Sequence, residues 1–269
     1  MTAAVDLHTH STASDGQYSP SELVRLAKKQ GIEILALTDH DTLDGLDEAM
    51  TAGEEAGVRV LRGIELSAKE YRGLHILGYC ISPDAPGLRE LCAEMKQSRN
   101  ERKYRIIEFL REKGVDISLA EVEELAGGGV IGRPHFAQVM VRRGYVETTK
   151  EAFDRYLATS EFRRIERKKP DARTCVEAIH SAGGKVSLAH PYQTGLEGDA
   201  LDGLLRELAG YGLDAIECWY PRHTPQQREF YLSLAQKYGL HVTGGSDFHG
   251  ENVKPDIQLE RYPLDISWM

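Results

Sequence analysis

The sequence predicts an α/β barrel on a parallel sheet, interrupted by a helical insertion, and three features predict it. Apolar strand-like runs alternate with amphipathic helical stretches in both the first and last parts of the chain. Between them, from Pro83 to about Glu161, the texture changes to long, charged amphipathic helices. Histidines and acids recur at or just after the ends of the apolar runs, the face of a parallel barrel on which sites are built.

The elements follow in order. VDLHTH reads as a first strand, and the alternation of side chains along a strand points His8 and His10 the same way, so that they can grip one object together. SPSELVRLAKKQGI reads as a helix with Ser19 as N-cap, Pro20 at the first position, Glu22 three residues after the cap and Gly31 as its stop. EILALTDHDT is a second strand, LDGLDEAMTAGEEAGV a second helix closed by Gly57, and RVLRGIELSA a third strand reaching Glu65. Asp41 and Asp44 read as caps of that second helix.

GLHILGYCIS ends the first series, and LRELCAEMKQSRNERKYRIIEFLREKG is the clearest helix of the insertion, stopped by Gly114. Alternation returns with ARTCVEAIHSAGG and KVSLAHP, LDGLLRELAGYG and LDAIECWYP, and TPQQREFYLSLAQKYG and HVTGGSDFHG. We therefore place a barrel domain over 1–82 and 162–269 and a helical subdomain over 83–161.

Composition narrows the function. With 269 residues, 41% hydrophobic and 28% charged, the chain is an ordinary globular protein. Its net charge of −9 argues against long nucleic acid or an anionic membrane as partner and leaves room for a local basic pocket. Cys80, Cys92, Cys175 and Cys218 are scattered without a CxxC pair, which points to free thiols. The first motif lies five residues from Met1 and no run approaches a membrane span, so a cytoplasmic location is expected. Oligomeric state is not legible.

His8, His10, Asp15, His40, Glu65, His75, His190, Asp247 and His249 form the strand-end set. Imidazole and carboxylate without thiolate suit Mn²⁺, Zn²⁺ or Fe²⁺, and a carboxylate such as Glu65 can bridge two ions. Nine candidates are too many for one ion and fit two or three, an arrangement that stabilises an attacking hydroxide and phosphoryl oxygens together. His180 and His241, by contrast, read as structural or solvated.

DLHTHSTASDG, LTDHDT, GIELS, HILGY, GRPH, LAHP and GGSDFHG, in that order, resemble the PHP (polymerase and histidinol phosphatase) family, particularly its free-standing small-molecule phosphoesterases. The resemblance implies a distorted seven-stranded (β/α) barrel of amidohydrolase-like type, an inserted helical subdomain and three divalent ions, Mn²⁺ first with Fe²⁺ or Zn²⁺ as alternatives. It implies His8, His10 and Asp247 on one ion, His75 and His190 on a second, Glu65 bridging them, and Asp15, His40 and His249 on the third. The reaction expected is in-line attack of a metal-bridging hydroxide on phosphorus, with Asp39, Glu65 and His223 as catalytic residues. Asp39 would orient His40 or handle a proton.

Phosphate contacts are expected from cations away from the metals. Arg133 and His135 in GRPH resemble family positions that contact phosphate, and Arg222 and His223 follow a barrel strand. EFRRIERKKP carries five basic residues in ten, so Lys168 and Lys169 are further candidates, the other reading being a solvated charged face. The expected partner is a small phosphorylated metabolite: a nucleotide 3′,5′-bisphosphate, or a phosphosugar cyclic phosphate opened from diester to monoester. The alternatives are a 5′-3′ exonuclease or oligonucleotide-trimming enzyme, histidinol phosphatase, and a non-catalytic metal-binding protein.

Overall fold

The expected first strand forms over Ala3–Thr9 (β1) and is buried from Val5 onward. In the computed structural model, which describes residues 3–126, 131–165 and 167–269, it leads into helix Pro20–Lys29 (α1), strand Ile34–Leu37 (β2), helix Leu46–Ala56 (α2) and strands Arg59–Ser67 (β3) and His75–Tyr79 (β4). Helices Pro86–Glu112 (α3), Leu119–Ala126 (α4), Arg133–Arg142 (α5) and Thr149–Ala152 (α6) come next. Alternation resumes with Ala172–Ser181 (α7), Lys185–Leu188 (β5), Gly198–Tyr211 (α8), Ala215–Trp219 (β6), Pro225–Tyr238 (α9), His241–Gly244 (β7) and Tyr262–Leu264 (β8).

Two compact units result, Met1–Ala93 with Lys169–Met269, and Glu94–Lys168. Both junctions fall later than the expected 82/83 and 161/162. Phe162 is buried with Phe109, Leu110, Phe136 and Leu157 in the core of the helical unit, and the Lys168 N–H donates to Ser98 Oγ at 2.7 Å, which keeps both residues there.

In the other unit the described strands make one nearly closed sheet in the order β7-β6-β5-β4-β3-β2-β1-β8. β1, β2 and β3 are parallel, as are β5, β6 and β7. β4 departs from the parallel expectation and runs antiparallel to both neighbours. The link between β3 and β4, residues 68–74, is too short for a parallel crossover, which needs about a dozen residues. The short β8 pairs antiparallel with β1, Ala3 opposite Leu264, and adds an eighth strand to the seven expected.

The segment after β7 closes the other end of β1. The Asp247 N–H donates to the His8 carbonyl at 2.7 Å, and the His10 N–H to the Phe248 carbonyl at 3.0 Å. Gly245 permits that approach, since a Cβ there would stand 2.2 Å from the His8 Cβ. Fully buried Leu7, Leu35, Ile64 and Leu66 supply apolar packing around the sheet. Each such side chain stabilises by about 1.5–3 kcal/mol, which offsets the cost of burying charge at the strand ends.

Local chemistry explains the helix starts. Ser19 and Glu22 form the reciprocal capping box at α1, with Pro20 next to the cap. α2 corrects the expectation for Asp41 and Asp44, because its N-cap is Gly45 with no side-chain cap bond. Asp41 instead turns inward at φ 57°, and its carboxylate accepts from the Ser67 N–H at 2.9 Å. Among the described residues no helix is long and apolar enough to cross a membrane.

Candidate metal centre

Glu65, at the end of β3, is fully buried and organises the site. His8 Nε2 and His10 Nε2, from β1 and just beyond it, each lie 3.2 Å from its Oε2. His40 Nδ1, after β2, lies 2.9 Å from the same oxygen. Its Oε1 faces His75 Nδ1 at 2.7 Å and His190 Nε2 at 2.9 Å. Asp247, after β7, brings Oδ1 to 3.2 Å from His10 Nε2 and 3.6 Å from His8 Nε2. Asp15 reaches His249 Nε2 at 3.3 Å, His10 Nδ1 at 3.9 Å and His40 Nε2 at 4.0 Å. All nine strand-end candidates are thus gathered in one place in the barrel unit.

Backbone irregularities aim them. β1 slips register against β2 between Asp6 and Thr9, and β6 slips against β7 between Glu217 and Trp219, irregularities of the kind that redirect side chains. Asp41, His190 and Asp247 take left-handed conformations unusual for residues with a Cβ.

The charges divide the histidines. Burial pushes the Glu65 carboxyl up, but His40, His75 and His8 together outweigh it and hold the group well below the carboxylate range. Asp15 and Asp247 are held down against burial in the same way, chiefly by His40 and His8 respectively. Burial lowers His10, helped by His249 and His40, to about 4, and lowers His75 to about 4 against the pull of Glu65. For His40, Glu65 and Asp15 overcome burial and raise it to about 9.

Several of these atoms are close without being satisfied. Among the described residues, His8 Nε2, both His10 ring nitrogens, His40 Nδ1, His190 Nδ1 and Glu65 Oε2 are buried with no aligned hydrogen bond, an expensive condition for polar groups. A divalent cation would satisfy such a convergence of imidazole nitrogens and carboxylate oxygens, and the donor set fits one. Three groups could each hold an ion, their donor atoms within 4.8 Å of one another: His8, His10, Glu65 and Asp247; His40, Glu65 and His75; His10, Asp15, His40 and His249.

The other expected site residues lie as follows. Asp39 does not bond to His40; its carboxylate accepts from the Ser11 N–H at 2.8 Å, the Ser11 hydroxyl at 2.6 Å and the Ser14 hydroxyl, bracing the loop between His10 and Asp15. His223 is buried, donating Nδ1–H to the Cys218 carbonyl at 3.0 Å, while its Nε2 has no hydrogen-bond partner among the described residues. Its ring lies 5.0 Å from Tyr220, which in turn is 5.8 Å from His190. Arg222 is paired with Asp256 through bonds of 2.8 and 2.7 Å. Lys169 donates to the Ala68 carbonyl at 3.3 Å.

In the helical unit Arg133 stacks over Phe153 at 5.6 Å and bonds the Leu157 carbonyl at 3.4 Å. His135 accepts the Gly132 N–H at 3.0 Å. Lys168 stands at the end of this unit. Position 166, inside the basic run, lies outside the described residues.

Sequence reasoning missed four residues. Glu217 bonds His8 Nδ1 at 3.1 Å and the His190 N–H at 2.6 Å. Tyr220 and Lys254 bond Asp247 Oδ2 at 2.9 and 2.6 Å. Asp6, which burial pushes up to about 6, accepts from the Ser246 N–H at 2.9 Å. A Glu inside the apolar strand AIECW was the one readable signal.

The PHP domain pattern matches residues 6–166. The chain is 37% identical over 250 residues (93% of this chain, 91% of the relative) to a 5′-3′ exoribonuclease of Haemophilus influenzae. It is 34% identical over 253 residues (91% and 94%) to a phosphoribosyl 1,2-cyclic phosphate 1,2-diphosphodiesterase of Eggerthella lenta. It is 30% identical over 256 residues (92% and 87%) to a 3′,5′-nucleoside bisphosphate phosphatase of Chromobacterium violaceum. A Bifidobacterium adolescentis structure assigned as a metal-dependent phosphoesterase superposes with a TM-score of 0.80 at 33% identity, covering 97% of this chain and 92% of that one.

Proposed function

The chain belongs to the PHP-domain family and is a metal-dependent phosphoesterase, and on that premise we propose that its substrate is a small metabolite carrying more than one phosphate. The candidates are a nucleoside 3′,5′-bisphosphate and a phosphosugar cyclic phosphate opened from diester to monoester. The observation that carries the reading is Glu65, a buried carboxylate with five imidazoles on its two oxygens. The reading has three ions there, Mn²⁺ first, held by the eight residues of the three donor groups and by His190, whose Nε2 faces Glu65 Oε1 at 2.9 Å; two relatives are named for small phosphorylated substrates.

When bound, the ions would lower the pKa of water to about 7 and neutralise charge on the phosphoryl oxygens. The chain's own residues do the rest. Tyr220 and Lys254 occupy Asp247 Oδ2 and leave Oδ1 to face His8 and His10. Asp39 holds the loop from His10 to Asp15 through Ser11 and Ser14. His223 presents Nε2 as a proton acceptor, its Nδ1–H being committed to Cys218. Arg133, His135, Lys168, Lys169 and Arg222 are the proposed phosphate contacts, planar guanidinium groups being suited to bidentate binding.

A second reading, a 5′-3′ exonuclease, is favoured by the relative from H. influenzae. Net charge −9 speaks against a long strand, whose binding depends on several phosphate contacts. The test is phosphate release by Mn²⁺-loaded protein from adenosine 3′,5′-bisphosphate, 5-phosphoribose 1,2-cyclic phosphate, histidinol phosphate and short oligoribonucleotides of increasing length. Preference for one of the first two is expected; turnover that rises with oligonucleotide length would overturn the reading in favour of the nuclease.

A further inference from the structure

We propose that Glu217 is a positioning residue that sets the ring tautomer of His8 and the backbone of His190 at once, so that one carboxylate prepares ligands for two ions. The proposal rests on the metal-centre reading and adds to it a residue that donates to no ion in the assignments above.

Glu217 lies in β6 and is fully buried. An ionised carboxylate only accepts hydrogen bonds. Its contact with His8 Nδ1 at 3.1 Å therefore calls for hydrogen on Nδ1. In the neutral ring that leaves the lone pair on Nε2, the atom facing Glu65 Oε2 at 3.2 Å and Asp247 Oδ1 at 3.6 Å.

The other oxygen, Oε2, accepts the His190 N–H at 2.6 Å. That residue has φ 23° and ψ 66°, a conformation that a side chain with a Cβ keeps only when its surroundings over-determine it. The bond fixes the turn that carries His190 Nε2 to 2.9 Å from Glu65 Oε1. His8 approaches Oε2 of Glu65 and His190 approaches Oε1, so Glu217 acts behind both sides of the carboxylate expected to bridge.

Glutamine is nearly isosteric yet cannot replace it. A carboxamide has one acceptor oxygen, and if that oxygen keeps the His190 N–H, its NH₂ faces His8 Nδ1. A hydrogen bond there needs a bare Nδ1, which moves the ring hydrogen to Nε2 and removes the ligating lone pair.

The experiment is calorimetric titration of wild type, Glu217→Gln and Glu217→Asp with Zn²⁺ alone. It is joined to ¹⁵N NMR of the histidine rings in Zn²⁺-loaded wild type and to thermal unfolding in chelator. Glu217→Gln should bind fewer ions or bind them about 10–100-fold more weakly, and Glu217→Asp, which keeps both acceptor oxygens, should recover part of that loss. The wild-type spectrum should show His8 protonated on Nδ1 and ligated through Nε2. Unchanged stoichiometry and affinity in folded Glu217→Gln, even with a lowered melting point, would reduce Glu217 to a structural link and overturn the proposal. So would hydrogen on His8 Nε2 in the loaded wild type, a result that stands whether or not the variants fold. Wild type that binds no ion would overturn the metal-centre reading itself, an outcome distinct from the other two.

Discussion

In the helical unit, Lys150 meets Asp154 and Arg155 meets Glu151 at 2.6 Å on solvated helix turns, whereas in the barrel unit a Glu65 with no exposure meets five imidazoles, three of them buried and two, His40 and His75, slightly exposed. The separations are similar and the consequences are opposite. Water screens the helical pairs, and each partner is as well solvated alone as together. At the strand ends desolvation makes every unmatched charge costly, so carboxylates and imidazoles must settle their protons among themselves or find a cation. Distance alone does not rank interactions; distance together with burial does.

The sharpest way to break the contrast is Glu65→Gln. It removes the one charge shared by five histidines, and metal affinity should fall by at least about 100-fold, beyond the usual loss from an outer residue, with phosphoesterase activity falling alongside. Metal content after dialysis and phosphate release, measured on the same preparation, check this; wild-type turnover would refute the assignment.

A middle case is Arg133→Ala, a surface-type cation with a proposed ligand. Losing a charge-assisted hydrogen bond worth about 1.5–3 kcal/mol should raise KM for a doubly phosphorylated substrate roughly 10–100-fold. A minimal phosphoester should be affected less, and equal effects on both would remove Arg133 from the anchoring role.

Asp171 lies between the extremes. Its carboxylate caps α7, and bonds from the Thr174 side chain and N–H, then Lys69, hold it down at about 2. The folded value is below the unfolded one of about 3.9, so the stabilisation is full above that pH and is lost as pH falls through 2. Asp171→Ala should lower stability by about 1 kcal/mol at neutral pH. The difference from wild type should stay flat above about pH 5 and shrink below about pH 4 in acid melts. The smallest effect is Lys150→Ala, which should leave the melting point unmoved and become even harder to detect as salt is added.

How much of this was legible in the chain varies with the range of the forces involved. The α1 capping box was readable because Ser19, Pro20 and Glu22 act within one turn. The strand-end histidines were readable because their positions follow from element boundaries. The antiparallel course of β4 was available from the seven-residue link before it, while β8, three residues long, carries too little pattern to announce itself. Asp41 and Glu217 escaped for another reason. What each bonds lies 26 and 209 residues away in sequence, and no local spacing rule reaches that far. The second junction between units escaped in the same way, because Phe162 and Lys168 find their partners only in the folded helical unit.

The pairing of Ala3 with Leu264 also has a consequence for biogenesis. On the ribosome β1 emerges well before the strand Tyr262–Leu264 that covers its outer edge. At roughly 5–20 residues per second, that edge waits on the order of ten to fifty seconds with open N–H and C=O groups. A product that ended before residue 262 would keep that edge of β1 uncovered, a template for edge-to-edge aggregation.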